Sequence, residues 1–369
     1  MVLRLKYKDK NWNVSLPTVR AFHFEQDEVK EYVEKGGDNP LVFDTNIISN
    51  CNTNCIYCST QGGKYDVRYP QEKGYPFITD DQYKDVIKQL PKLGVRTFFI
   101  CSNGEPLLNP NRFLSLARIA YDNGVRVITY TNGTTLSDSF LKKLEEVDVN
   151  LVMKLESFSP KNNNEIILNT PKKRKKSFYG YTYTRFMGQT VPNFIPRAFE
   201  TYSKDTNRLG LESMIINENT HELLDIREWG FNELGCPQFL KHVYPLGYVM
   251  LRGRDIQPTE GRKVEIDQEI KKLDESKGLK YPDFITPDHF SFDSRRLMNN
   301  LTSSTGFPFR VFGHEREGVY HSSQLIKTKI GFGTGKIIRI VNEEGMIDMA
   351  RYFGEISKNV GEENVWRPS

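Results

Sequence analysis

The chain has 369 residues, 38% of them hydrophobic and 27% charged, with 51 Lys and Arg against 47 Asp and Glu and a formal charge of +4. These are the values of a soluble globular protein of one large domain, or of one domain with additions. No apolar run approaches membrane length, the near-balanced charge gives no general nucleic-acid footprint, and Met1–Lys8 lacks the apolar core of a signal peptide. Five cysteines, three of them clustered, argue against a disulfide framework and for a reducing, cytoplasmic setting.

In chain order, residues 1–40 read as an extension of mixed character, with a helical stretch over Glu25–Lys35. Leu41-Val42-Phe43 and Asp44–Ile48 predict a strand feeding a loop that carries Cys51, Cys55 and Cys58. A helix follows over Thr79–Leu93, opened by Thr79, Asp80 and Asp81 and stopped by Gly94. The strand Val95–Cys101 ends in Ser102-Asn103-Gly104-Glu105-Pro106. Helix Pro110–Asn123 leads to strand Val125–Thr131, which closes on Thr131-Asn132-Gly133. Helix Ser137–Val147 leads to strand Val149–Ser157.

The stretch from Ser159 to about Arg197 reads as an insertion. It carries five successive basic residues, Lys172–Lys176, and then the aromatics Phe178, Tyr179, Tyr181 and Tyr183. Cations meet phosphates and rings stack on bases, so this run keeps RNA among the possible partners; the alternatives are an anionic peptide, a phosphorylated metabolite or a solvated loop. Strand Leu209–Asn217, helix Thr220–Leu234 and strand Phe239–Leu246 complete six βα units.

Strands alternating with helices imply a parallel α/β sheet with right-handed crossovers. Six units, not eight, predict a partial (β/α)6 TIM-like barrel over residues 41–258, open on one side to a bulky substrate. Beyond it, residues 259–369 read as a C-terminal α+β extension. Its expected elements are helices Glu260–Ser276, Pro287–Leu301 and Glu344–Phe353, and short antiparallel strands over Phe309–Phe312, Val319–Ser322, Leu325–Ile330 and Lys336–Val341. Gly331–Lys336 lacks phosphate-loop spacing and reads as a glycine-rich hairpin turn. His314, Glu315, Glu317 and His321 read as a solvated face of the ribbon.

The chemistry rests on the cysteine loop. Cys51, Cys55 and Cys58 form C-x3-C-x2-C, with Tyr57 just before the third thiol. Three thiolates wrap one face of a cluster without closing a four-ligand cage, and a cubane so held keeps one open iron. A structural zinc site needs a fourth ligand; Cys101, inside a predicted strand, is a poor one. This spacing resembles that of the radical S-adenosylmethionine (SAM) superfamily, and so do the Asn103-Gly104-Glu105-Pro106 turn and Thr131-Asn132-Gly133 at successive strand ends. Asn103 departs from the family's Gly-Gly-Glu-Pro by standing where the first Gly usually sits.

The resemblance implies a 4Fe-4S cluster on Cys51, Cys55 and Cys58. SAM would be chelated to the free iron and cleaved by one electron to a 5′-deoxyadenosyl radical that takes a hydrogen atom from substrate. It implies cofactor contacts from Tyr57, Asn103, Gly104, Glu105, Pro106, Thr131, Asn132, Glu156, Ser157 and Glu212, and a one-electron donor such as flavodoxin or ferredoxin as partner. No cysteine follows Cys236, so the extra cysteine-ligated clusters of many peptide-modifying relatives are not expected. His242, on the sixth strand, and Cys236 are further catalytic candidates, Cys236 having a structural role as its alternative. The expected substrate is a peptide, a protein or a mid-sized metabolite. The other readings are an RNA- or nucleotide-modifying enzyme of the same superfamily and a nonenzymatic metal-binding protein.

Overall fold

The structure is a computed structural model that describes residues 3–7, 10–14, 19–22, 42–48, 50–58, 80–100, 104–168, 182–243, 256–278, 310–314 and 318–321. Strands β1 (Leu3–Tyr7) and β2 (Lys10–Val14) form a small antiparallel pair. The main sheet then begins. β3 (Val42–Asn46), β4 (Thr97–Ile100), β5 (Arg126–Thr131) and β6 (Val149–Lys154) lie side by side and parallel. The hairpin β7 (Tyr183–Phe186) and β8 (Gln189–Pro192) stands apart, and β9 (Leu209–Ile215) and β10 (Gln238–His242) continue the parallel run. The six parallel strands are those that the sequence predicts, in sequence order, with helices in the crossovers.

The helices form where end signals and apolar spacing coincide. In α1 (Asp80–Gln89), Asp80 and Asp81 occupy the first turn, where a carboxylate meets the positive end of the helix dipole. A 3-10 turn, Leu90–Leu93, prolongs it until Gly94 stops the chain at φ 82°. α2 (Pro110–Asp122) starts with Pro110 in its first turn, and the Asn109 side chain accepts from the Arg112 N–H at 3.2 Å. α3 (Asp138–Glu146) is capped by Ser137, whose Oγ accepts from the Phe140 N–H at 3.2 Å. α4 (Pro160–Leu168), α5 (Phe194–Thr201), α6 (Leu223–Trp229) with a π-turn over Gly230–Leu234, and α7 (Glu260–Ser276) complete the described helices.

Two departures from the expectation concern the insertion and the C-terminal ribbon. The insertion contains regular structure at both ends: α4 follows β6 and contacts β8, and the β7–β8 hairpin leads into α5. The Tyr183 hydroxyl accepts from Asn163 Nδ2 at 3.0 Å and donates to Asn164 Oδ1 at 2.9 Å, so that ring is tied to α4. The basic run 172–176 and Phe178, Tyr179 and Tyr181 lie outside the described residues. In the C-terminal region, β11 (Arg310–His314) and β12 (Gly318–His321) are antiparallel to each other, as expected, but β11 also pairs in parallel with β3, Arg310 opposite Val42. The ribbon thereby extends the main sheet, whose order is β10-β9-β6-β5-β4-β3-β11-β12. The local alternation of residues 309–322 could not show this, because pairing with β3 is set by tertiary contact. The other elements expected after residue 278 lie outside the described residues.

Strand alternation divides the apolar residues into two sets. One set, including Phe43, Phe98, Leu151, Met153 and Leu211, packs under the helices against Phe113, Leu116, Leu141 and Trp229, all buried. Phe43 and Phe98 stack with centroids 5.9 Å apart. The other set faces the barrel lumen, where Tyr130 meets Phe99 at 5.2 Å and Phe239 at 6.1 Å. The floor is closed from the N-terminal side by residues 19–22. Ala21 donates its N–H to Asn150 Oδ1 at 3.0 Å, its carbonyl accepts from Thr97 Oγ1 at 2.5 Å, and Val19 and Ala21 are fully buried. Arg20 anchors this plug to Asp205 at 2.5 Å and to Asp148, which also accepts from Arg208 at 3.0 Å. Gly210 makes room: a Cβ there would lie 2.8 Å from the Phe239 ring and 3.1 Å from Val19.

Candidate functional site

The sheet gathers its chemistry at the C-terminal strand ends, the rim where barrel enzymes place their sites. The cysteine loop leaves β3 and crosses this rim. Its backbone is pinned to α4, because Asn54 donates its N–H to the Ile167 carbonyl at 3.1 Å and Ile56 to that of Ile166 at 2.9 Å. Cys51 and Cys58 are half-buried, Cys55 is buried, and none of the three is in a disulfide. Thr53 Oγ1 lies 3.1 Å from Cys51 Sγ and 3.7 Å from Cys55 Sγ. Burial pushes the Cys51 thiol up and the Cys55 thiol up to about 12, against the opposing pull of Lys154 on Cys55.

Glu105 joins three motifs. Its N–H donates to the Asn50 carbonyl, just before Cys51, at 2.9 Å. Its carboxylate accepts from Thr131 Oγ1 at 2.6 Å, the Asn132 N–H at 2.7 Å and the Leu107 N–H at 3.2 Å. Burial lifts this carboxyl up to about 7, although the three donors oppose the rise. Pro106 is buried and opens a 3-10 turn, and Gly104 is half-buried. Asn132 reaches the cysteine loop with its side-chain amide, which lies 3.0 Å from Asn52 Oδ1, 3.3 Å from Thr53 Oγ1 and 3.8 Å from Cys51 Sγ. The structure thus brings Cys51, Gly104–Pro106, Thr131 and Asn132 together. Asn103 and Cys101 lie outside the described residues.

A second cluster lines the lumen beside the first. Tyr57, from the cysteine loop, donates its hydroxyl to Glu156 Oε1 at 2.5 Å. Glu156 Oε2 accepts from the Met214 N–H at 2.8 Å, and burial lifts this carboxyl up to about 7. The Tyr57 phenol is held well above its ordinary range by burial and by the anionic groups around it. Lys154, at the end of β6, approaches the Tyr57 hydroxyl at 3.3 Å and pairs with Glu212 Oε2 at 3.0 Å. Lys241 of β10 takes the other oxygen of Glu212 and lies 3.9 Å from the centroid of Tyr130. Burial alone would raise Glu212, but the two ammonium groups outweigh it and hold the carboxyl at about 2. Ser157, in contrast, gives its hydroxyl to Glu222 Oε1 at 2.6 Å and is fully buried.

Lys154 and Lys241 are charged lumen residues that the sequence analysis does not single out. Their signal was available: each is a charged residue at a position whose strand neighbours two residues away face the lumen. His242 ends β10 opposite Ile215, and its side chain lies outside the described residues; its neighbour Lys241 is the one that meets Glu212. Cys236 sits in the helix-side core with Trp229 and Leu234, away from the lumen, and burial pushes its thiol well up.

The donor set decides what the loop can hold. Among the described residues, no three His, Cys, Asp or Glu side chains are placed to hold a single metal ion. A cubane makes a different demand, because its thiolates each bind a separate iron. Three thiols on one loop, with a hydroxyl and an amide N–H turned to their sulfurs, fit such a cluster: the cationic irons would offset the cost of burying thiolates. Among the described residues no helix is long and apolar enough to cross a membrane.

Residues 45–187 match the family model described as the radical SAM superfamily. Among known proteins, the AdoMet-dependent heme synthase of Methanosarcina barkeri is 32% identical over 110 residues, 30% of this chain and 29% of that protein. The mycofactocin maturase MftC of Mycobacterium tuberculosis is 28% identical over 138 residues, 37% of this chain and 32% of that protein. The chain thus spans about a third of the length of these curated relatives. Among solved structures, SuiB of Streptococcus suis bound to S-adenosylmethionine superposes with a TM-score of 0.51 at 10% identity, over 83% of this chain and 64% of that one. Native anSMEcpe, bound to AdoMet and the Cp18Cys peptide, gives a TM-score of 0.51 at 14% identity, over 88% of this chain and 81% of that one. These structural likenesses show the partial-barrel fold, and the family match, over less than half of the chain, makes residues 45–187 with their cysteine loop similar to the radical SAM superfamily, whose cofactors are a 4Fe-4S cluster and SAM.

Proposed function

We propose that this protein is a radical SAM enzyme that opens an unactivated C–H bond of a peptide, a protein or a mid-sized metabolite. The observation that carries the reading is the convergence of the cysteine loop, the Gly104–Pro106 turn and Thr131-Asn132 on the single carboxylate of Glu105. When bound, the cluster and SAM supply one-electron cleavage of the sulfonium and the radical that takes the hydrogen atom. Cys51, Cys55 and Cys58 would hold the cluster, and Asn132 would direct its amide toward the Cys51 sulfur. The turn at Gly104 would stand beside the methionine part of SAM, and Lys154, Glu156 and Tyr57 would form the lumen wall next to it.

Lateral access through the incomplete barrel suits a substrate of peptide size. A peptide substrate also agrees with two of the similar solved structures, SuiB with its precursor peptide SuiA and anSMEcpe with the Cp18Cys peptide. A one-electron donor of the flavodoxin or ferredoxin type would supply the electron. The test is anaerobic reconstitution followed by incubation with SAM and dithionite. The expected products are 5′-deoxyadenosine and methionine, read by mass spectrometry. Cluster-loaded protein that leaves SAM intact under these conditions would refute the reading.

A further inference from the structure

The sulfur of Cys51 ends a chain of hydrogen bonds that begins beyond β5. Thr53 Oγ1 lies 3.1 Å from Cys51 Sγ, and the Thr53 N–H donates to the same sulfur at 3.5 Å. A metal-bound thiolate has no proton to give, so toward a ligating Cys51 the hydroxyl is the donor. Cys55 Sγ stands farther from this oxygen, at 3.7 Å, and the hydroxyl's one proton goes to the nearer sulfur. The hydroxyl is itself oriented from behind. Asn132 Nδ2 lies 3.3 Å from Thr53 Oγ1 and 3.8 Å from Cys51 Sγ, and it gives its other proton to Asn52 Oδ1 at 3.0 Å. The direction of this amide is fixed by a group that can only donate: the Thr134 N–H meets Asn132 Oδ1 at 3.0 Å. Thr134 Oγ1 donates to the same oxygen at 2.6 Å and accepts from Asn52 Nδ2 at 2.7 Å, which closes a ring. With its nitrogen so aimed, Asn132 donates to the Thr53 oxygen and leaves the Thr53 proton for sulfur. Donors in such a chain strengthen one another.

We infer that Thr53, oriented by Asn132, sets the reduction potential of the cluster through the sulfur of Cys51. This rests on the radical SAM reading. Thr53 is a positioning residue that acts through Cys51, and Asn132 acts through Thr53. Reduction adds one electron, supplied by the donor protein or by dithionite, and part of that negative charge falls on the ligating sulfurs. A hydrogen bond to sulfur therefore stabilises the reduced state more than the oxidised one, and the hydroxyl raises the potential. Thr53 keeps its proton throughout. The test is a potentiometric titration of the reconstituted protein without SAM, read by electron paramagnetic resonance of the reduced cluster. Thr53→Val keeps the shape and the backbone N–H and removes only the hydroxyl. It should hold the iron and sulfide of the wild type. Its reduction equilibrium should fall about tenfold, the scale of a lost hydrogen bond to a charged group, which is about 59 mV for one electron. Thr53→Ser should restore most of that shift. Asn132→Ala should lower the potential of the wild type and add little in Thr53→Val, because its effect passes through the hydroxyl.

An unchanged or higher potential in fully loaded Thr53→Val overturns the inference. Equal shifts from Asn132→Ala in both backgrounds overturn the part given to Asn132. The wild type alone supplies a second reading that does not depend on how a variant folds. After exchange into heavy water, electron–nuclear double resonance of its reduced cluster should show coupled deuterons, and Thr53→Val should lose the strongest of them. No exchangeable deuteron coupled to the wild-type cluster overturns the inference whatever the variants do. Iron content and SAM cleavage of the wild type are read in parallel. Their absence refutes the radical SAM reading, whereas a loaded, SAM-cleaving protein whose potential ignores Thr53 refutes this inference alone.

Discussion

At the scale of single residues, Glu105 does what a motif alone could not reveal. Its carboxylate is turned inward, toward Thr131 and Asn132, so its contribution is to hold two strand ends and the cysteine loop in one arrangement. Glu105→Ala strands two buried N–H groups and a buried hydroxyl, and should cost about 1–3 kcal/mol per orphaned group in chemical denaturation. Restoring most of that loss with Gln would show that geometry, not charge, is what matters here. Replacing Cys51, Cys55 and Cys58 together with Ala should reduce iron and acid-labile sulfide to background; a full iron complement in the triple variant would contradict the assignment of the loop. The cysteines were legible because their spacing is local. Glu105 was legible as a site residue, but the inward direction of its side chain was not, because that depends on Thr131, 26 positions away in sequence.

At the scale of elements, the strand ends were easier to read than the strand interiors. Ser137 and Asn109 announced their helices, and the Thr131-Asn132-Gly133 turn ended β5 where expected. Gly133 is bound to that turn for two reasons: its φ is +77°, and a Cβ would fall 2.4 Å from the Phe194 ring on α5. Gly133→Ala should therefore destabilise the protein by about 2 kcal/mol or more, measured by urea denaturation. The lumen charges were harder to see, since Lys154, Glu212 and Lys241 come from three strands and meet only when β6, β9 and β10 are in register. Glu156 in the same wall makes a pH prediction. Its carboxyl is raised to about 7 by burial, from an ordinary value of 4.5, so the folded state holds the proton more tightly than the unfolded chain. That contribution is complete below about pH 4.5 and is lost as pH rises through 7. Glu156→Gln should flatten the fall in urea midpoint of the metal-free protein between pH 5 and 8; an unchanged slope would show that this carboxyl does not titrate there.

For the molecule as a whole, the six-unit count followed from periodicity, but neither the closure of the floor nor the extension of the sheet beyond β3 did. The floor plug, residues 19–22, is too short to carry a periodic signal, and β11 joins β3 by a long-range pairing. Val19→Asp should bury a carboxylate against Phe239 and Gly210, in a floor whose arginines are already engaged by Asp148 and Asp205. A loss of about 3 kcal/mol or more is expected, with Val19→Ala losing far less, and differential scanning calorimetry of the metal-free protein distinguishes them. A similar melting temperature for Val19→Asp and the wild type would mean that the floor is open to water.

The plug also has a consequence for the order in which the chain can mature. Ala21 must meet Asn150, 129 positions later, and Arg20 must meet Asp205, 185 positions later. During synthesis, residues 19–22 leave the ribosome well before the strands whose lower ends they seal. The floor therefore closes only after β9 has emerged, and the β3 edge is covered later still, when Arg310 arrives opposite Val42. Such distant partners imply slow refolding, with apolar lumen residues transiently exposed. Cluster insertion into a chain whose cysteine loop precedes most of its supporting strands is thus best timed after translation, on a barrel already closed from below.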